Sequence, residues 1–300
     1  MLQITQQSRF WFTVSSVLVA LGLVLLVYPG LKLGIDFTGG TLLELSFNEE
    51  VAKEELDTAL ATFASEENVE TGIPYILRTS EGGYIIRIRD ITNEQHLALQ
   101  TSLEDQLGSF TEHRFTTIGP TVGDTLKIRS FWALATAAIV MVLYIAFAFR
   151  NIPRKLNPWK FGVIAVIALL HDIIITLGVF VLVGMFTSFE VDTLFISALL
   201  IILGYSVNDT IVIFDRVREN IFNQERGDSF DVVAERGLQQ SIARSMNTSL
   251  STIIPLIALF FLGAESIRWF VLTLIVGLLI GTYSSLFLAT PLLVHWRKRS

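Results

Sequence analysis

The chain has 300 residues, 52% of them hydrophobic and 17% charged, with a mean hydropathy of +0.58 and a formal net charge of −6. This is too apolar for an ordinary soluble domain, and no basic patch with interleaved aromatics appears, which argues against nucleic acid as a partner. The absence of cysteine excludes disulfides, thiolate metal sites and cysteine nucleophiles.

A membrane-spanning helix needs about 20 mostly apolar residues. In chain order the candidates are Phe10–Tyr28, Ser130–Phe149, Phe161–Gly184, Leu194–Phe214, Met246–Leu262 and Trp269–Leu293. The first apolar run is longer than a signal-peptide core and lacks a small-x-small cleavage site, so it reads as an uncleaved anchor. The last is long enough to tilt or to start late.

Between the first two spans lies a segment of about 100 residues, a usual domain size. Thr41–Phe47 reads as a strand, Val51–Ser65 as an amphipathic helix, and Tyr75–Thr79 and Tyr84–Arg89 as a hairpin turning at Glu81-Gly82-Gly83. Asn93–Leu107 follows as a helix with Thr92 or Asn93 as its cap, then Phe110–Ile118 as the last strand. That order is the split βαβ pattern. His96 and His113 read as ordinary surface residues. The expected fold is therefore a polytopic α-helical membrane protein of six transmembrane helices. An extracytoplasmic α+β ferredoxin-like domain separates the first helix from the second. The divisions are 1–29 for the N-terminus and first helix, 30–128 for the α+β domain, and 129–300 for the five-helix membrane domain.

Basic residues set the orientation. Arg150, Arg154, Lys155 and Lys160 crowd the connection between the second and third spans. Arg216, Arg218, Arg226, Arg236 and Arg244 follow the fourth, and Arg297-Lys298-Arg299 closes the chain. The connection between the third and fourth spans carries Glu190 and Asp192, which read first as solvated groups and second as a proton entrance, and no base. The positive-inside rule then puts both termini in the cytoplasm, as an even number of spans also requires. Asp215, Arg216, Arg218 and Glu219 read as an interfacial charge cluster at or past the end of the fourth helix. Phe222–Gln240 reads as an amphipathic helix along the membrane surface.

The informative residues are the ionisable ones inside the spans, because a charged group in hydrocarbon costs from about 2.5 to over 10 kcal/mol. Asp209, beside Asn208, stands seven residues before Arg216, roughly 10 Å into the membrane. It is either a proton-relay carboxyl or a neutral acid bonded to Asn208 or Thr210 for helix packing. Arg244, at the mouth of the fifth span, is either a counter-charge for a carboxylate or a snorkelling anchor. It cannot itself release a proton at ordinary pH. His171-Asp172 falls about 15 Å deep in the third span. The pair either extends a proton path or joins helices by hydrogen bonds. Ser206, Asn247 and Thr248 read as interhelical hydrogen-bonding groups, and Gly277 and Gly281 as a close-packing pair. Gly39-Gly40 is far from a nucleotide fingerprint and reads as a tight turn or packing point. No phosphate loop, metal-ligand set or nucleophile–base pair is evident, so no cofactor and no enzymatic activity are expected.

Gly34-Ile35-Asp36-Phe37-Thr38-Gly39-Gly40-Thr41 resembles the glycine motif of the SecD/SecF family of protein-export membrane proteins. The run from Gly204 to Asn220, which contains Asn208-Asp209, resembles the fourth-helix signature of its SecF branch. His171-Asp172 and Ser241–Ser249 fit the same pattern. The resemblance implies an accessory subunit of the Sec translocase in the bacterial inner membrane. Such a subunit is paired with SecD beside the translocation channel and surrounded by membrane lipid. It implies further that the proton-motive force is used to pull an unfolded polypeptide outwards, as in the resistance-nodulation-division transporters. The family's intramembrane ionisable residues fall on Asp209 and Arg244, and the family's glycine motif on Gly34, Asp36, Phe37, Gly39 and Gly40. Two other readings remain open: half of a small-molecule or lipid exporter of that superfamily, and a non-transporting scaffold of the channel.

Overall fold

The computed structural model describes residues 4–67, 71–72, 74–79, 82–150, 158–223 and 228–298. Arg154, Lys155, Arg226 and Arg299 of the orientation argument, and Glu81 of the hairpin, lie outside the described residues. In chain order the helices are α1 (Ser8–Val27), α2 (Ile35–Thr38), α3 (Lys53–Glu66), α4 (Asn93–Leu107), α5 (Pro120–Ala148), α6 (Pro158–Phe186), α7 (Thr193–Phe222), α8 (Phe230–Leu262), α9 (Arg268–Ser284) and α10 (Thr290–Lys298). The strands are β1 (Gly40–Phe47), β2 (Tyr75–Arg78), β3 (Tyr84–Ile88) and β4 (Phe110–Ile118). The chain divides into two compact units, Leu33–Ser130 on the one hand and Met1–Lys32 with Phe131–Ser300 on the other.

In the Leu33–Ser130 unit the four strands form one antiparallel sheet in the order β2-β3-β1-β4. That is the split βαβ order: β1 and β2 are separated in the sheet by β3, and each strand–strand crossover carries a helix. Strand alternation explains the core. Leu43 and Leu45 of β1 and Ile86 and Ile88 of β3 point to one face. There they meet Leu56, Ala59, Leu60 and Phe63 of α3, whose spacing makes a single helical stripe. Leu99 and Leu103 of α4 complete the layer. Thr92 caps α4 as expected: its hydroxyl accepts from the Gln95 amide at 3.3 Å, and Gln95 accepts from the Thr92 amide at 2.8 Å.

His96 departs from its sequence reading as a surface residue. Its ring stacks on Phe115 with centroids 3.7 Å apart, and Nε2 lies 2.7 Å from the Glu112 carboxylate. Its position on α4, over β4, half-buries it. His113 is exposed and bonds Ser46.

Among the described residues, six helical segments are long and apolar enough to cross a membrane. They differ in how much they bury. The α6 and α7 segments bury half of their apolar window, whereas α5 buries 6%. The α1 helix seats on α6 through Gly22 and Gly178, where a side chain on Gly178 would stand 2.6 Å from the Gly22 Cα. The α9 helix seats on α7 through Gly277 and Gly281, which lie against Ile202 and Ser206. This is the close packing expected of the pair. Phe149, Phe161 and Phe214 form an aromatic cluster at one end of the membrane unit, and Phe180, Phe189 and Phe195 form another.

Two helix boundaries and two acidic side chains differ from the sequence reading. The fourth helix continues through Asp215, Arg216, Arg218 and Glu219 to Phe222. These residues pair along it, Arg216 with Glu219 and Arg218 with Asp215, because i,i+3 neighbours share a helix face. The segment Phe222–Gln240 is no separate surface helix: from Phe230 it is the start of α8, which runs unbroken into the fifth span. Its apolar stripe (Phe230, Val233, Ala234, Leu238) is buried against the bundle. Asp192 is not simply solvated; its carboxylate caps α7, accepting from the Phe195 amide at 2.7 Å. Glu190 is half-buried, with Oε2 enclosed.

Candidate functional site

The site is built on the inward stripe of α7. Leu199, Ile202, Leu203, Ser206, Asp209, Thr210, Ile213 and Val217 recur at the helical period and are all buried. Asp209 is therefore enclosed (3% exposed) because it sits in register with the aliphatic residues that hold the helix in place. Asn208, one residue earlier and about 100° round the helix, is exposed. The structure does not bring these two neighbours together.

Asp209 makes little use of its surroundings. Its Oδ2 is buried without a hydrogen-bond partner, and so is Oγ of Ser245, the polar group facing it from α8. Thr210 does not serve it. That hydroxyl donates to the Ser206 carbonyl at 3.2 Å and lies 2.9 Å from Ser285 Oγ. Arg244 stands beside Ser245 in sequence but projects from the exposed face of α8. It lines a polar cleft of about 390 Å³ between α7 and α8, with Arg216, Glu219, Asn220 and Gln240. Arg244 and Asp209 form no ion pair. Asn247 is exposed, and Thr248 bonds its own helix at the Arg244 carbonyl. Of the three residues read as interhelical groups, only Ser206 spans two helices.

Asp172 is the contrasting acid. It is 1% exposed, on the buried stripe of α6 with Ala165, Ala168, Leu169 and Thr176. Its Oδ2 accepts from Ser206 of α7 at 2.6 Å and from Ser284 of α9 at 2.8 Å. Its Oδ1 lies 2.9 Å from His171 Nδ1. His171 is 4% exposed and stacks on Tyr283, whose hydroxyl is 3.1 Å from Ser15 of α1. Three helices, α6, α7 and α9, thus converge on this carboxyl, and α1 reaches the cluster through Tyr283.

The serines of α9 carry no motif in the sequence. Ser284 ends α9 and Ser285 opens the π-helical turn Ser285–Ala289, and both are buried. Such turns often mark functional sites. In an ordinary α-helix successive residues diverge by about 100°. Here Ser284, Ser285, Leu286, Leu288, Ala289 and Thr290 are all buried.

The glycine motif lies in the Leu33–Ser130 unit. Gly34 precedes the single turn α2, which buries Ile35 and Phe37; Asp36 is half-buried. Gly39 and Gly40 have φ of +72° and +122°, conformations that favour glycine. A side chain on Gly40 would stand 2.8 Å from the Ile88 carbonyl. The pair is a tight turn and a packing point. It borders a cleft of about 410 Å³ with Tyr75 and Arg87. Burial lowers the Arg87 guanidinium below its ordinary value, with Tyr75 opposing.

Residues 98–299 match the profile of "Protein export membrane protein SecD/SecF, C-terminal", and residues 24–51 that of the "SecD/SecF GG Motif". The "Protein translocase subunit SecF" of Thermobaculum terrenum is 37% identical over 305 residues, which is all of this chain and 95% of that protein. This chain belongs to the SecF family of protein translocase subunits. The family protein of Sebaldella termitidis is 35% identical, over 99% of this chain and 92% of its own length. The crystal structure of SecDF, a translocon-associated membrane protein from Thermus thermophilus, superposes with a TM-score of 0.80 at 30% identity. That match covers 98% of this chain but 38% of the SecDF chain, so this chain spans well under half of that larger protein. As in the family, the chain is a multi-pass membrane protein.

Proposed function

We propose that this chain pairs with SecD beside the Sec translocation channel of the bacterial inner membrane and uses the proton-motive force to promote late steps of protein export. The observation that carries the reading is Asp209: an acid 3% exposed in an apolar helix, with Oδ2 unbonded. A buried carboxyl with one oxygen unbonded is open to taking up and releasing a proton, and intramembrane acids of this kind mark ion pathways. Arg244, in its polar cleft on the neighbouring helix, supplies positive charge at the same end of the bundle, and Asn208 presents an amide on the adjoining exposed face. His171 and Asp172 form a second buried proton-accepting pair. The arginines along α7 and α8, read by the positive-inside rule, support cytoplasmic termini and an α+β unit outside. Energy from the gradient calls for no bound cofactor and no catalytic chemistry.

The reading predicts a specific loss. In inside-out inner-membrane vesicles containing the partner and the channel, Asp209→Asn removes the gradient-stimulated part of export and leaves the ATP-driven part. Full gradient stimulation in that variant overturns the reading.

A further inference from the structure

The π-helical turn after α9 and the two buried serines where it begins have no part in the role assigned to Asp209. Ser284 Oγ donates to Asp172 Oδ2 at 2.8 Å; Ser285 Oγ donates to the Ser206 carbonyl at 3.3 Å and lies 2.9 Å from Thr210 Oγ1. Ser206 in turn donates its own hydroxyl to Asp172 at 2.6 Å. One residue of α7 is thus bonded through its side chain to α6 and through its carbonyl to α9, and all of these groups are buried.

We propose that Ser206, Ser284 and Ser285 are positioning residues. They seat Asp172 as a second proton-loading carboxyl and transmit its protonation to α9. This inference rests on the proton-coupled reading above and extends it to a carboxyl that works through helix contacts.

The chemistry follows from lone pairs. An ionised Asp172 is acceptor-only and holds both serine hydroxyls on Oδ2 while Oδ1 faces His171. When a proton binds the carboxyl, one oxygen becomes a donor and the demand for incoming hydroxyl protons falls. With the proton on Oδ1, Oδ2 is a neutral carbonyl oxygen that still accepts from Ser206 and Ser284, but more weakly than a carboxylate does. Ser284 already has a second acceptor within its own helix, the Gly281 carbonyl at 3.1 Å. Its hydroxyl, shared between the two acceptors, shifts towards that carbonyl, and the shift loosens α9 from α6. The i→i+4 ladder of α9 gives way to the i→i+5 pattern of the π-helical turn at the next residue, Ser285, so such a shift falls where the helix already changes its bonding. The groups facing Asp172 from each packed helix are His171 from α6, Ser206 from α7, and Ser284 from α9. Tyr283 of α9 stacks on His171, and Ser15 of α1 bonds Tyr283. A proton reaching Asp172 Oδ1 is shared with His171 Nδ1, and the buried His171 Nε2, which has no hydrogen-bond partner, is left to balance the pair.

The test uses the reconstituted complex with its partner subunit and reads the protonated carboxyl by infrared difference spectroscopy between acidic and alkaline pH. A carbonyl-stretch band that disappears in Asp172→Asn is expected. That band moves to higher frequency in Ser284→Ala, which deletes a hydrogen bond, and returns to its native position in Ser284→Thr. In the vesicle assay, Ser284→Ala lowers gradient-stimulated export several-fold at unchanged complex abundance, and Ser284→Thr restores it. Ser249→Ala, which removes a buried hydroxyl bonded to Thr282 at 2.6 Å away from the Asp172 cluster, leaves both readouts unchanged. Absence of an Asp172-dependent band, a band unmoved by Ser284→Ala, or an equal loss in Ser249→Ala each overturns the proposal. The infrared measurement does not depend on export. A chain whose Asp209→Asn variant keeps gradient stimulation but whose Asp172 band behaves as described would lose the coupling role of Asp209 and keep the loading of Asp172.

Discussion

Asp172 and Asp209 are buried to nearly the same degree, 1% and 3%, yet their surroundings are opposites. Asp172 has two hydroxyl donors and a histidine from three helices. The Oδ2 of Asp209 is buried without a hydrogen-bond partner, with only the Ser245 hydroxyl facing the carboxyl from α8. The first is embedded where α6, α7 and α9 meet. The second lies on α7 towards α8, a helix with only 17% of its apolar window buried. Burial by itself therefore does not define what an intramembrane acid does. The number of groups that depend on it separates a carboxyl that holds helices together from one that can change charge at little structural cost.

Stability measurements sharpen this contrast. Asp172→Ala is expected to have the largest effect, since it leaves Ser206 and His171 unsatisfied in the core and Ser284 with only the Gly281 carbonyl. The loss is about 2–4 kcal/mol, read as a lower midpoint in thermal unfolding of the purified complex in detergent. A near-normal midpoint would mean that the clasp is not a structural unit. Next comes Gly281→Val, which drives a branched side chain into Ser206, where even a Cβ would stand 3.0 Å from the Ser206 Cβ. Overpacking of this kind costs about 1–3 kcal/mol and should also disturb the Asp172 infrared band through Ser206. Thr92→Ala, in the α+β unit, serves as a yardstick away from either acid: losing one N-cap costs about 1 kcal/mol, measured by the same melting experiment. Asp209→Asn should be smallest, within about 0.5 kcal/mol of the parent, because no hydrogen bond of Oδ2 is lost. If it destabilised the protein as much as Asp172→Ala, the distinction between the two acids would fail.

The spans and the split βαβ order were legible because each rests on a local periodicity. The α3 stripe Leu56, Ala59, Leu60 and Phe63 and the β1 alternation Leu43, Leu45 announce their faces without reference to the rest of the chain. The capping of α4 by Thr92 was legible for the same reason. The start of α8 at Phe230 was not. The amphipathic pattern of that segment suggested a surface helix, and only the packing of Val233, Ala234 and Leu238 against the bundle makes it one helix with the span. His96 was misread because its burial comes from Phe115, on a strand whose register depends on long-range pairing.

In the candidate site, the residue types were evident and their pairings were not. Acid in an apolar run is a local observation, so Asp209 and Asp172 stand out from sequence. That Asn208 and Arg244 face outward while Ser245 faces Asp209 depends on the rotation of two helices about their axes. Ser284 and Ser285 are further still from view. Adjacent serines near the end of an apolar helix look unremarkable until both are found buried where the π-helical turn begins.

From sequence alone came the six hydrophobic spans, the α+β insertion, the family and the two acids that cost most to bury. The spans, the insertion and the acids follow from composition, period and spacing along the chain, and the family from the resemblance of its motifs. Tertiary structure alone decided which of those acids is satisfied and by whom. Hydrogen bonds between helices depend on distances of a few tenths of an ångström and on helix rotation, and these are set jointly by small residues such as Gly277 and Gly281 and by the π-helical turn that follows them.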